Sequence, residues 1–441
     1  MKTIFLLLLI ITGITAGAQE VDTSKTWSLN DCISYALNQN VAVRKSNLVN
    51  LSNQINAEEA QAQKLPSVSA SVRQNFNWAN STSEITGEKN FTGSNNSSYT
   101  VNSSIVIYNA SKLNNLIKQA QLDLESGKYD SETVKESVTL SILSAYLQVL
   151  FNEEQVKNAK NQMDATSEQL GYSEERLTLG IISKSDYLQV KSQLATEKLN
   201  LANAQSQLSI AKVNLMQLIE LPVNSSFKIA QPDLGKSVNQ NLYPMPLDVY
   251  NIALGIKPQI KSAEYQKESA ALNEKVAAAG FYPTLSADAG IGTGYNVHTE
   301  QGYFGQLSDQ VSPSVGFSLS IPIFQKKQVK SSVAQAKISY QNAELQEIDT
   351  KNQLRKEIEQ VCVDVISSQT EYEASIEQYE STLESYNIAE EKFNNGLINS
   401  VDFLFEKTNL ITAESQLLQS KFSVIFNYKI LDFYTGTPIE L

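Results

Sequence analysis

The chain has little of what small stapled or metal-built domains depend on. In 441 residues it carries two cysteines, Cys32 and Cys362, and one histidine, His298. Two cysteines so far apart are no disulfide framework. Both fall in apolar helical patterns, so two buried thiols are expected. One histidine, in a predicted loop, supplies no metal-ligand spacing. Neither a nucleophile elbow nor a phosphate loop is present. No catalytic residue, metal site or cofactor is expected, and the chain does not read as an enzyme. Proline (10) and glycine (18) are scarce, so long stretches run without a helix breaker. Positive charge is also in deficit. The net charge of −12 disfavours nucleic acid as a partner; it suits a cation-preferring pore or any exported protein.

Long apolar runs are missing too, except at the start. Lys2, the short run Phe5–Ile11 and the small residues Ala16-Gly17-Ala18 before Gln19 make residues 1–18 a secretory signal peptide. Cys32 lies well downstream of that cleavage point, so no lipid is expected at the mature N-terminus. No later segment reaches the roughly 18 uncharged apolar residues of a membrane helix. An exported chain of this kind is soluble or enters a membrane as β-strands.

What is present is present twice. Pro66 of Leu65-Pro66-Ser67-Val68-Ser69-Ala70 and Pro283 of Tyr282-Pro283-Thr284-Leu285-Ser286-Ala287 are 217 positions apart. Ser104–Tyr108 and Ser320–Phe324, Glu175–Gly180 and Glu391–Gly396, Asp186-Tyr187-Leu188 and Asp402-Phe403-Leu404, and Pro222 and Pro438 are each separated by 216. A constant offset along the chain marks an internal duplication. It divides the mature protein into a first repeat (19–221), a proline-rich linker (222–246) and a second repeat (247–441).

Each repeat reads as helix, β-hairpin, then long helices. The first helix is predicted from the Trp27–Asp31 cap region to about Lys64, and its counterpart from Leu247 to Gly280. Hairpins follow at about 67–108, with a loop at 81–96, and at about 284–324. Val68, Ala70, Val72, Phe76 and Trp78 alternate with serines, asparagines and Arg73. Tyr99, Val101, Ile105 and Ile107 alternate likewise in the return strand. Leu285–Tyr295 and Val311–Ile323 repeat the pattern with serine and glycine on the polar face. Apolar outside and small polar inside is the pattern of an outer-membrane barrel strand. Four strands cannot close a barrel, and bacterial barrels start at about eight, so several chains must share one. Two chains would make a nearly filled barrel; three leave room for a channel.

The long helices are predicted at about 111–219 and 327–434. Leu194, Leu201, Leu208 and Leu215 recur every seven residues, as do Leu410, Leu417, Val424 and Leu431. These are narrow coiled-coil seams on rods with polar flanks. At the turns, Gly180 and Gly396 end one helix. Ile181-Ile182 and Leu397-Ile398 stand at the tips as apolar pairs facing water, which hint at a docking surface. Ser183 with Asp186, and Asn399 with Asp402, cap the next helix in a capping-box-like way.

These features together resemble the TolC-like outer-membrane efflux proteins. The carriers are the duplication, the two Pro turns into strands, and the tips Arg176-Leu177-x-x-Gly180-Ile181-Ile182-x-x-x-Asp186 and Lys392-Phe393-x-x-Gly396-Leu397-Ile398-x-x-x-Asp402. The resemblance spans essentially the mature chain. It implies a mainly α fold with membrane β: four strands per chain of a homotrimer's shared twelve-stranded barrel in outer-membrane lipid, above a periplasmic α-barrel of coiled helices. It implies an exit duct of a tripartite efflux or type I secretion system, with a periplasmic adaptor (membrane fusion protein) and an inner-membrane pump as partners. Arg176, Leu177, Gly180, Ile181, Ile182, Lys392, Gly396, Leu397 and Ile398 would be adaptor contacts. Asp402 and Asp186 match gate residues. The family's polar lock is absent, because Phe393 and Ile398 stand in its place and Phe405 replaces a second aspartate. The expected gate is an Asp402 ring with apolar packing of Phe393 and Phe405. An exported coiled-coil structural or adhesive protein is the rival class; it explains the heptads but not the strands.

Overall fold

The computed structural model describes residues 26–82, 87, 89–222, 227–232 and 245–439. The signal segment, much of the linker and the expected loop at 83–86 and 88 lie outside them.

After a short strand β1 (Thr26–Trp27), Ser28 opens the first helix with a closed capping box to Asp31. The expected single helix is two helices, α1 (Leu29–Gln39) and α2 (Val41–Ala62). Asn40 breaks it: its side chain caps Ala42 N and donates to Leu218 O at 2.8 Å. The strands are β2 (Ser67–Thr82) and β3 (Lys89–Tyr108). They are followed by α3 (Lys112–Thr178), α4 (Lys184–Leu218) and a second short strand β4 (Lys228–Ile229) that pairs in parallel with β1.

The second copy repeats the order: α5 (Pro246–Ile256), α6 (Pro258–Ala278) with a 3-10 turn at Ala279–Phe281, β5 (Thr284–Asn296), α7 (Tyr303–Asp309), β6 (Ser312–Ser320), α8 (Gln328–Asn394) and α9 (Ser400–Thr435). Here too the opening helix is broken, at Lys257, which precedes Pro258 and occupies the position of Asn40. Lys257 is buried, with its ammonium 3.3 Å from Glu136 Oε2 and over the Phe433 ring. Burial lowers the Lys257 pKa and raises that of Glu136. The return from strand to long helix uses two consecutive left-handed non-glycine residues in both copies, Ala110-Ser111 and Lys326-Lys327.

The helices α3 and α8 are each 67 residues long, on the order of 100 Å at ~1.5 Å per residue. Scarcity of proline and glycine permits this, and pairing sustains it. Along α4, Leu194, Ala211 and Leu215 are buried, and Leu201, Ala204, Leu208 and Leu218 half-buried, against α3. Leu410, Val424 and Leu431 are buried on α9 in the same rhythm. One 18-residue window of α3 reaches a mean hydropathy of 1.2. The residues Ile142, Leu143, Tyr146, Leu147, Val149 and Leu150 of α3 explain such apolarity: they belong to the main core. That core forms where α1 and α5 pack on the middle of α3 and α8 and on the ends of α4 and α9. The Tyr146 hydroxyl donates to Trp27 O and Ala230 O, tying β1 and β4 to it. Cys32 and Cys362 are both buried there, with no disulfide between them.

The four long strands form one antiparallel sheet in the order β2-β3-β5-β6. Three sequence expectations are corrected. The loop expected at 81–96 is largely strand: the ladder runs unbroken from Ser67↔Ser104 to Thr82↔Lys89. Backbone pairing needs no continuous apolar face, so a two-stranded ribbon, mostly polar but carrying Phe76, Trp78 and Phe91, continues past the end of β5. The alternation of β3 slips at a bulge between Val106 and Tyr108, which puts Tyr108 rather than Ile107 opposite Leu285. Strand β6 stops at Ser320, so Ile321 and Ile323 lie beyond it; Pro322 has no N–H to extend a ladder.

Candidate functional site

Two regions of the fold hold the candidate functional residues: the sheet and the pair of hairpin tips. On the sheet, register pairs like with like. Val72↔Tyr99, Ala70↔Val101, Val101↔Ile291 and Ala287↔Phe317 fall on one face. Ser71↔Thr100, Thr100↔Gly292 and Asp288↔Gly316 fall on the other. Both faces are open to solvent in the single chain: Val72 is 72% and Val315 78% exposed on the apolar face, and Ser71 and Asn102 are exposed on the other. The outer edges of β2 and β6 have no partner strand in the described residues. Helix α7, which the sequence reading missed, packs on β5. Gln306, fully buried, bonds both backbone groups of Asn296, and Tyr303 bonds Tyr99.

At the first tip, Gly180 has φ +72. Gly180 N donates to Leu177 O and Ile181 N to Arg176 O, a Schellman closure that satisfies the last carbonyls of α3. Gly396 and Leu397 repeat it on Phe393 and Lys392, with Gly396 again at φ +72. The closure turns the next residues outward: Ile181 is 59% and Leu397 73% exposed. Leu177, Ile182 and Ile398 are half-buried, and Lys392 is exposed. Arg176 turns sideways, donating to Asn394 O at 3.4 Å and lying 6.0 Å from the Phe393 ring centre.

The two caps differ. Ser183 and Asp186 form a full capping box. Asn399 accepts from Asp402 N, but the Asp402 carboxylate accepts no hydrogen bond among the described residues. The expected reciprocal box at the second tip is therefore only half made: at the first tip the Ser183 N–H donates to the Asp186 carboxylate and its hydroxyl adds a second bond, whereas the Asn399 N–H makes no such bond to Asp402 among the described residues. Asp186 does more: it accepts a 2.7 Å bond from Ser400, which also contacts Gln189. This joins the tips. The Ser183 and then the Ser400 hydrogen bonds hold the Asp186 carboxyl below its usual range.

Phe393 and Phe405 are not brought together within the chain. Phe393 stacks on Phe403 with ring centres 4.8 Å apart, while Phe405 is 63% exposed. Helical spacing explains it: extending the Leu410–Leu417–Val424 heptad one step toward the tip lands on Phe403, which is 1% exposed. That signal was in the sequence. Lys407 was not anticipated. It is buried between the hairpins, its ammonium 2.6 Å from Thr166 Oγ1, and burial lowers its pKa against the pull of Glu197 and Glu390. Tyr172, Arg176, Tyr386, Phe393, Phe403 and Lys407 line a groove of about 500 Å³, within the size range of small-molecule pockets.

Tips, sheet and duplication coincide with the comparisons. The Outer membrane efflux protein family profile matches residues 32–220 and again 249–437. The chain belongs to the outer membrane efflux protein family. Among curated members of similar sequence, the pyoverdine export outer membrane protein OpmQ of Pseudomonas aeruginosa is 26% identical over 179 residues, 41% of this chain and 37% of OpmQ. Outer membrane protein TolC of Escherichia coli is 22% identical over 317 residues, 70% of this chain and 63% of TolC. The chain thus spans less than two thirds of the length of the curated relatives it matches. The MtrE outer membrane channel of Neisseria gonorrhoeae, solved in its open state, shares the fold with a TM-score of 0.76 at 18% identity, covering 93% of this chain and 89% of MtrE.

Proposed function

We propose that the mature chain is one third of a homotrimeric exit duct, passing cargo from an inner-membrane pump and a periplasmic adaptor across the outer membrane. The observation that carries this reading is the sheet: two open edges, one apolar face and one face of serine, glycine and asparagine, joined to rods far longer than a bilayer is thick. An open edge in hydrocarbon leaves backbone groups unpaired, so β2 of one chain meets β6 of the next. Three chains then close a barrel of about twelve strands, within the even-numbered range of outer-membrane barrels. The rival structural or adhesive reading leaves those edges unexplained. Small-molecule efflux and type I secretion use the same part, and the co-purifying pump names the cargo class. Extraction from outer membranes in mild detergent should yield a trimer by native mass; a monomer or a water-soluble form overturns the duct.

Within this reading, the tip residues Arg176, Leu177, Gly180, Ile181, Ile182, Lys392, Gly396, Leu397 and Ile398 contact the adaptor, and Asp402 and Asp186 hold the gate. Phe405 closes it with them, and Phe393 acts by propping Phe403. Support comes from the outward-turned aliphatics and the Asp186–Ser400 bond. In planar bilayers Asp402→Asn should raise open probability; unchanged gating removes Asp402 from the gate.

A further inference from the structure

The contacts between the two hairpins of one chain follow a rule that the duplication extends outward. Three residues of α9 at seven-residue spacing, Ser400, Lys407 and Glu414, reach across to the first hairpin. Ser400 donates to Asp186, Lys407 to Thr166, and Glu414 accepts from Gln162 at 3.1 Å. Moved by the 216-residue offset, the α9 residues become Lys184, Lys191 and Lys198 of α4, and their partners become Asp402, Thr382 and Gln378. Thr166/Thr382, Lys407/Lys191 and Gln162/Gln378 keep the same side chain in both copies.

Within one chain these second sets never meet. Lys184, Lys191 and Lys198 are exposed along one stripe of α4, and Gln378 and Asp402 are exposed on the second hairpin. Two further observations mark the tip pair as unfinished. Lys184 is the first residue of α4, where a cation opposes the helix dipole and gains nothing locally. The Asp402 carboxylate accepts no hydrogen bond among the described residues, whereas its counterpart Asp186 accepts from Ser183 and Ser400.

We propose that the lysine stripe of α4 docks on the second hairpin of another copy of this chain, with Lys184 ion-paired to that copy's Asp402. This rests on the trimeric duct and adds a specific seam to it. Seams within a chain are held at the tip by a neutral hydroxyl on a carboxylate. Seams between chains are held there by opposite charges, and the buried Glu197 that faces Lys407 is replaced at its repeat position by Ala413. The tunnel end is then a ring of alternating seams, of which only those between chains are charge-paired and therefore screened by salt.

The test is cysteine crosslinking in the full-length protein in membranes. Lys184→Cys with Asp402→Cys should shift most of the chain to dimer and trimer bands without reductant. Asp186→Cys with Ser400→Cys should crosslink inside the chain and leave the monomer mass unchanged, and the wild type should not crosslink. A native trimer in which the first pair stays uncrosslinked, or links within one chain, overturns the seam alone. A monomeric protein overturns the duct reading and the seam with it. As a second readout, Lys184→Asp should raise open probability and Asp402→Lys in the same chain should restore it; failure of rescue also counts against the pair.

Discussion

Asp186 shows how much a single carboxylate does at the tip. It caps its own helix through Ser183 and holds the other hairpin through Ser400. Both bonds favour the charged form, so its pKa is depressed. A depressed carboxylate contributes stability that is full above its unfolded value and is lost as pH falls through the folded value. Acid should therefore loosen the tips only below the usual carboxylate range. Ser400→Ala removes one of the two hydroxyls and returns Asp186 part-way to the usual carboxylate range. The acid-side rise in open probability in planar bilayers should then begin at higher pH than in wild type. Superimposable acid titrations would show that Ser400 has no hold on Asp186. The carboxylate was legible in the sequence from its capping position. Its second partner was not, because a bond spanning 214 positions leaves no local pattern.

At the scale of elements, the second hairpin is closed near its tip by aromatic stacking. Phe403 lies between Phe393 and Tyr386, with ring centres 4.8 and 5.7 Å away. Truncating a buried phenylalanine costs about 3–5 kcal/mol, whereas an exposed one costs within about 0.5 kcal/mol. Phe403→Ala should collapse hydrogen-exchange protection over residues 386–407 by several hundredfold, given about 1.4 kcal/mol per factor of ten. Phe405→Ala should leave that protection unchanged. Equal effects would mean that Phe405 also packs within the hairpin. Phe393 and Phe405 do not meet within the hairpin for a simple reason. Similarity of residue type ignored helical phase, and two positions beyond Phe403 the chain has turned away from α8. The broken opening helices were hidden in a different way. Asn40 is compatible with a helix until its side chain finds the Leu218 carbonyl on another element.

For the whole molecule, the sequence alone determined the class of fold. The constant offset, the heptads and the period-2 segments are local signals, set by helix and strand geometry. They place the long rods, the four strands and the glycine turns without knowledge of the partner surfaces. Strand count even argues for a shared barrel, since closure is arithmetic. The tertiary structure decided what depends on residues far apart meeting. That includes where the core sits, around Tyr146 and Leu215 rather than along the rods, and the ladder that turns an expected loop into strand. It also includes which of two similar tips is fully capped. The physical reason is that a periodic pattern says which face of an element is apolar, but not which element will cover it. In this chain the duplication narrows that gap, because the contact that one copy makes within the chain indicates what the other lacks.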